Sequence, residues 1–250
     1  MKESLYKYIV EIADNCLILG QRLGELCGHG PNLETDIACT NLSLDLLGQV
    51  RSYYQYAAQV SNGKQTEDDI AFLRPERDYL NVLLVEQPNT DFAYVIGRQF
   101  LFDVYHYLFL NELQHSHDIT LAAIARKSLK EVSYHLRFSS DWLKRLGDGT
   151  SESHERMQQA IDDLWAYTEE FFIRTDDAKL MIEKGIGVDV TSLKNDYYKS
   201  VKEYLEEATI SVPEIKYFQK GGKQGAHSEH MGYILADLQY MQRAYPNMKW

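Results

Sequence analysis

Apolar residues recur every three or four positions over residues 5–27, where Ile9, Ile12, Ala13, Cys16, Leu19, Leu23 and Leu26 trace one broad face of an amphipathic helix. Gly28-His-Gly-Pro31 stops it, since glycine and proline end helices at their C-terminal side. A second helix is expected from Thr35 or Asp36, both competent N-caps, through Leu42, Leu46, Gln49 and Tyr53 to Ser61-Asn-Gly63. Its length suits an antiparallel hairpin with the first. Residues 64–90 hold Pro75, Pro88 and only the short apolar run 80–85, which reads as a crossover. A third helix starting near Asn89 or Thr90 carries Phe92, Val95, Ile96, Gln99, Phe102, Asp103, His106, Leu110 and Leu113 along one side. A fourth, capped by Asp118 or Thr120, presents Leu121, Ile124, Ser128, Glu131, His135, Phe138 and Trp142 before Gly147-Asp-Gly149 ends it. Two helical hairpins joined by one long crossover is the connectivity of the ferritin-like four-helix bundle. The expected fold is therefore all-α and a single ferritin-like domain, with a core bundle over about residues 3–146. Three further helices follow over 153–174, 191–210 and 228–245.

Composition strengthens the helical reading. Fifteen glycines and 5 prolines in 250 residues fall below the ~12% of average proteins, and no proline occurs between Pro88 and Pro213. A sheet-rich chain needs turn signals every ~8–12 residues, which that interval does not offer. The formal charge of −11 argues against binding nucleic acid or an anionic membrane, since both require a basic excess. The longest run without a charge, residues 52–63, is far shorter than the ~20 residues that cross a bilayer. The first residues show neither a signal-peptide nor a transit-peptide pattern, so a cytoplasmic location is expected. Cys16, Cys27 and Cys39 form no CxxC pair and read as buried reduced thiols on apolar helix faces.

Candidate chemistry lies in ionisable residues on faces that the periodicity assigns to the core, because a lone buried charge is costly unless paired or metal-bound. Asp14 precedes Cys16 and Leu17. Asp45 sits in Leu44-Asp-Leu-Leu47, Asp103 and His106 share one stripe, and Glu131 lies one turn from Tyr134 and His135. In di-iron carboxylate bundles two helices each give a Glu and two each give Glu-x-x-His. Here the second helix has Asp45-x-x-Gly48, and glycine ligates nothing. The fourth has Glu131-x-x-Tyr134, with His135 one residue late and so turned about 100° around the helix. These positions read as a damaged ligand set whose carboxylates need another neutraliser. Lys127, one turn before Glu131, is the first candidate, and His106, His135 or Arg22 are others. A protonated carboxyl with a raised pKa is the alternative.

Near the C-terminus, Lys220-Gly-Gly-Lys-Gln-Gly225 lacks the ending of a phosphate-binding P-loop, although its lysines can meet an anionic group. His227-Ser-Glu-His230 has a spacing able to chelate a cation, but Ser228 as N-cap and Glu229 in the first turn account for it as a helix start. No nucleophile elbow or Cys/His pair appears. Eighteen tyrosines are many, and amphipathic aromatics favour burial against another chain.

With these residues in view, the segments DNCLILGQRLGELCGHGP, LDLLGQVR, LLVEQPN, KEVSYHLRFSSDWLKRLGDGT and GGKQGAHSEHMG resemble the PaaC family, the structural component of the bacterial phenylacetyl-CoA epoxidase, from about Asp14 to the C-terminus. The resemblance implies a multicomponent oxygenase of aerobic phenylacetate catabolism that inserts one oxygen atom of O2 into the aromatic ring of a coenzyme A thioester. In that family the di-iron centre belongs to a catalytic A subunit, a reductase component delivers electrons from NADPH, and a small B subunit links the parts. The PaaC component is similar in fold to the A subunit, lacks the ligands and is a structural partner. The resemblance implies no catalytic residue and no cofactor in this chain, and it makes Asp45, Gly48, Asp103, Glu131 and Tyr134 vestigial ligand positions. Lys220, Lys223, His227, Glu229 and His230 are the expected partner or anion contacts. Two other readings stay open: an enzyme with an irregular metal site of its own, and a helical module contacting coenzyme A. Self-association is also open.

Overall fold

The computed structural model describes residues 1–246 and Met248. Among the described residues the chain is all-α, with nine α-helices and no strand. In chain order these are α1 (Lys2–Glu25), α2 (Leu33–Val60), α3 (Glu67–Phe72), α4 (Phe92–Leu113), α5 (Ile119–Gly147), α6 (Ser151–Trp165), α7 (Asp176–Glu183), α8 (Lys194–Glu207) and α9 (Glu229–Ala244). The α1–α2 and α4–α5 hairpins, with a long crossover between them in sequence, have the connectivity of the ferritin-like fold. The chain divides into two compact units. One comprises Met1–Glu86, Thr175–Met181 and the chain from Gly221 onward, and the other comprises Gln87–Arg174 and Ile182–Lys220.

In the first unit, Ile9, Ile18, Leu19 and Leu23 of α1 are buried with Leu42, Leu46, Tyr53 and Tyr54 of α2. Enclosing each such aliphatic side chain is worth about 1.5–3 kcal/mol. The connection is tight because Asp36 Oδ2 accepts from the backbone N–H groups of Gly28 and Gly30, each at 2.8 Å. Helix α2 starts earlier than Thr35 or Asp36: Asn32 is the N-cap and accepts from Thr35 N at 2.9 Å. Asp36 is thereby freed to close the loop.

Periodicity assigns α1 one broad apolar face, yet every residue from Tyr8 to Gly20 is buried. The face that reads as polar is covered by the 3-10 turn Leu83–Glu86 of the crossover and by α9. Its polar residues must therefore find partners inside the unit. Asn15 Oδ1 accepts from Val82 N at 2.8 Å, and Asn15 Nδ2 donates to Glu11 O at 2.9 Å. Asp14, fully enclosed, accepts from Arg74 Nη1 at 3.0 Å, Arg74 Nη2 at 2.5 Å, Leu80 N at 2.8 Å and the Tyr54 hydroxyl. Arg74 also donates to the carbonyls of Ile70 at 2.6 Å and Asp78 at 2.8 Å, and its guanidinium lies 4.1 Å from the centre of the Tyr79 ring. Burial, and then the Asp14 charge, push the Tyr54 phenol well above its ordinary pKa, so it stays a donor.

In the second unit, α4 and α5 form the hairpin, and α6 and α8 pack on both. The expected helix over 153–174 ends at Trp165. The chain tightens into the 3-10 turn Thr168–Phe172, where Thr168 Oγ1 donates to Trp165 O at 2.9 Å. That turn carries Phe171 into a stack on Tyr105, with centroids 4.4 Å apart and ring planes 5° from parallel, and edge-on to Tyr197 at 5.7 Å. Part of the tyrosine excess is therefore core filling. Helix α5 is capped by Asp118, one of the two expected caps, while α4 is capped by Asp91, a residue later than Thr90.

The Asp14–Arg74 pair yields a stability prediction. Asp14→Leu and Arg74→Met should each destabilise the chain by about 3–5 kcal/mol, because each leaves the other charge buried alone. The double variant should lose clearly less than the sum of the two. Urea unfolding midpoints check both statements, and additive losses would contradict the coupling.

Candidate functional site

Candidate site chemistry in the second unit lies along the α4–α5 hairpin. On α4 the stripe Gln99, Asp103, His106 repeats at four and three residues, and all three are buried. On α5, Ser128, His135, Ser139 and Ser140 are buried. Gln99 Nε2 donates to Asp103 Oδ1 at 2.7 Å, and Ser139 Oγ lies 2.7 Å from Asp103 Oδ2. Removal from water pushes the Asp103 carboxyl up to about 8, and the two hydrogen bonds only partly offset this. Removal from water also pushes the His106 imidazole down to about 3, with His135 adding to the effect. At neutral pH the carboxyl holds its proton and the imidazole is neutral. The buried charge is removed by protonation.

The fourth-helix motif is thus out of register with the core. Tyr134 is 43% exposed and Glu131 half-buried, while His135, one residue later, is fully enclosed. The same offset recurs in the first unit. Asp45 is half-buried and Gly48 exposed, and a Cβ built on Gly48 would meet nothing within 4 Å, while Gln49 is buried. Gly48 therefore does not face the core, contrary to the expectation for a ligand position. Lys127 is exposed and does not serve as the buried counter-charge, because its side chain projects from the outer face of α5. Arg22 is buried but engaged elsewhere, with Glu25 at 2.8 Å and the Glu86 carbonyl at 2.7 and 3.0 Å.

These residues do not fit a di-iron centre. Gly48 offers no donor, Tyr134 points outward, and Asp103 is held by Gln99 and Ser139. Among the described residues no three His, Cys, Asp or Glu side chains group as a metal site. Sequence reasoning missed Ser139 as the Asp103 partner. Its spacing of four from His135 was the available signal.

The C-terminal candidates separate. Lys220 and Glu229 are exposed and His230 is half-buried, while Lys223 is buried and its Nζ lies 3.2 Å from Glu11 Oε1. Thr175 Oγ1 donates to Glu11 Oε2 at 3.0 Å. His227 Nδ1 lies 2.6 Å from Glu86 Oε1 and Nε2 2.9 Å from Tyr79 O. Ser228 is the N-cap of α9 but makes no side-chain cap, since its hydroxyl donates to Glu86 Oε2 at 2.6 Å. A Cβ on Gly222 would collide with Asn81 O, and one on Gly225 with Arg77 O, so the glycines let this loop lie directly on the crossover. The loop spends Lys223 and His227 within the chain. Beyond its place in an apolar run, nothing along the sequence marks Glu86 as the meeting point of His227 and Ser228.

A cavity of about 520 Å³ in the first unit is lined by Tyr6, Lys7, Glu11, Arg77, Asp177 and Lys223 among others, with charges of both signs. No described helix is long and apolar enough to cross a membrane.

The pKa values set a pH profile for stability. Between about pH 4 and 8 the folded chain holds a proton on Asp103 that the unfolded chain has shed, so this group lowers stability as pH rises. His106 acts oppositely between about pH 3 and 6.5, where only the unfolded chain is charged. Their slopes cancel over about pH 4–6.5, and the Asp103 slope stands alone above it. Relative to Asp103→Asn, the native chain should lose about 1.4 kcal/mol per pH unit up to pH 8. Denaturation series at stepped pH measure the difference, and a flat difference would show Asp103 ionised in the fold.

A family model described as "Phenylacetic acid catabolic protein" matches residues 1–250. The C component of the 1,2-phenylacetyl-CoA epoxidase of Escherichia coli strain K12 is 47% identical over 246 residues, covering 98% of this chain and 99% of that protein.

Proposed function

Because the chain belongs to the phenylacetic acid catabolic protein family, we propose that it is a non-catalytic structural subunit of a multicomponent phenylacetyl-CoA epoxidase. It takes part in phenylacetate catabolism, and in the cytoplasm it binds and supports a di-iron catalytic A subunit. A small B subunit and a reductase component that passes electrons from NADPH complete the assembly. The E. coli relative is named as one lettered component of such an epoxidase, which supports the substrate and the multisubunit setting.

The observation that carries the non-catalytic reading is the geometry at the ligand positions. Gly48 offers no donor, Tyr134 is turned outward, and both oxygens of Asp103 are engaged by Gln99 and Ser139. An exposed aliphatic stripe on α2 supports a chain built to be covered by a partner. Leu33, Ile37 and Leu44 are 71%, 51% and 60% exposed on one side of the helix, and Gly48 continues the line without obstruction. A mid-helix glycine costs about 1 kcal/mol relative to alanine, and no contact inside the chain requires it.

Co-purification with the A subunit, followed by iron counting per chain, tests the reading. Iron should follow the A subunit, and this chain alone should retain far less than one iron. Ile37→Glu with Leu44→Glu should weaken co-purification at least tenfold while leaving the helical circular dichroism intact. Near-stoichiometric iron on the isolated chain would favour an enzyme with its own site. Coenzyme A binding by the isolated chain would favour a substrate-contacting module.

A further inference from the structure

Glu86 ends the 3-10 turn Leu83–Glu86, and its side chain is fully enclosed, as is that of His227. Four donors converge on the carboxylate: Asn81 Nδ2 at 2.9 Å, Ser228 N at 2.8 Å, Ser228 Oγ at 2.6 Å and His227 Nδ1 at 2.6 Å. An amide and a backbone N–H can only donate, so both oxygens of the Glu86 carboxylate are placed as acceptors. The second ring nitrogen of His227 lies 2.9 Å from Tyr79 O, and a backbone carbonyl can only accept. Both nitrogens of one imidazole thus face acceptors. Only the doubly protonated ring satisfies both.

We propose that His227 and Glu86 form a pH-sensitive latch. The C-terminal segment over residues 221–244 is held on the crossover while His227 is an imidazolium, and it is released when the ring gives its proton to solvent. A neutral ring keeps one N–H, so either the Glu86 or the Tyr79 contact must turn from attraction to lone-pair repulsion inside an enclosed site.

The surrounding charges favour the closed state. Glu76, on the turn Glu76–Asp78, adds negative potential at His227. Arg22 of α1 engages the Glu86 backbone carbonyl, and Lys223 within the loop is paired with Glu11 of α1. Glu229 and His230 follow His227 on α9 and are exposed and half-buried. Burial by itself would lower the pKa of His227, but the Glu86 carboxylate and the Tyr79 carbonyl outweigh it and raise the value above that of an ordinary histidine. A raised histidine contributes stability that is fully present below its unfolded pKa and is lost as pH rises through its folded pKa. The latch is therefore closed in mild acid and opens toward alkaline pH.

The consequence reaches α9. Gln239 donates to Arg74 O and to the Tyr79 hydroxyl, both at 2.8 Å, so the docked helix rests on the arginine that neutralises Asp14. The glycines at 222 and 225 and the Ser228 hydroxyl acquire a common purpose in bringing His227 onto Glu86.

Nitrogen NMR of the full chain reads the ring directly, with the His227 signals assigned by their loss in His227→Gln. Both ring nitrogens should be protonated at pH 7, and the midpoint should lie above that of a free histidine. A neutral tautomer at pH 7 would overturn the proposal, and if His227→Gln fails to fold, through-bond assignment of the native chain identifies the same signals. Hydrogen exchange from pH 6 to 9 reads the release. After correction for intrinsic exchange, opening of residues 221–244 should rise up to about tenfold per pH unit above the His227 midpoint, with the α1–α2 hairpin unchanged. In His227→Gln that pH dependence should vanish, and in Glu86→Gln the midpoint should drop below the ordinary value. Opening that stays constant across the range, or an unchanged midpoint in Glu86→Gln, would refute the latch.

Discussion

The covering of α1 on all sides is the constraint on which the first unit depends. A helix that is enclosed only on its apolar face leaves its polar residues to water. Once the crossover and α9 cover the other face, Glu11, Asp14 and Asn15 lose that solvent and must be matched from within the chain. Four partners arrive from distant sequence: Arg74 reaches Asp14, the Val82 amide reaches Asn15, and Lys223 and Thr175 reach Glu11. These contacts fix where the crossover and the C-terminal loop can lie. Glu86, itself enclosed by this arrangement, calls in His227 and Ser228 in turn. The polar network thereby sets the architecture around an otherwise ordinary helical hairpin.

The two units solve the same problem by different means. In the first, cations and N–H donors surround the buried carboxylates. In the second, no cation among the described residues reaches Asp103, and burial pushes its carboxyl up to about 8. Both solutions bear on function. On the α4–α5 hairpin both oxygens of Asp103 are engaged by Gln99 and Ser139, and Tyr134 is turned outward. This geometry is what supports the proposed structural role.

Helix existence was legible in the sequence because long amphipathic periods and sparse glycine and proline leave few alternatives. The inward positions Leu42, Leu46, Gln49 and Tyr53 of α2 were legible too, but the outward turn of its neighbouring residues Leu44 and Gly48 was not. Leu44-Asp-Leu-Leu47 reads as core, yet Leu44 is 60% exposed, because an aliphatic run marks any surface that avoids water, including one available to another chain. Taking Asp45 and Gly48 as inward followed from that run. On α5 the motif makes Tyr134 a ligand position, yet it is 43% exposed while His135, about 100° around the helix, is fully enclosed. The expected long helix over 153–174 failed at Trp165 because packing of Phe171 against Tyr105 outweighs continuation of the helix.

The amino-acid sequence alone determined the all-α class, the two hairpins, the crossover between them and the family to which the chain belongs. These follow from local periodicity, capping residues and motifs that are read along the chain. It also determined that carboxylates would be buried and would need neutralising. Only the tertiary structure decided how: an ion pair for Asp14, an imidazolium for Glu86 and a retained proton for Asp103. Each outcome depends on which groups from far along the chain come within about 3 Å, the reach of a hydrogen bond, and on how completely water is excluded. Neither quantity is written in the spacing of residues.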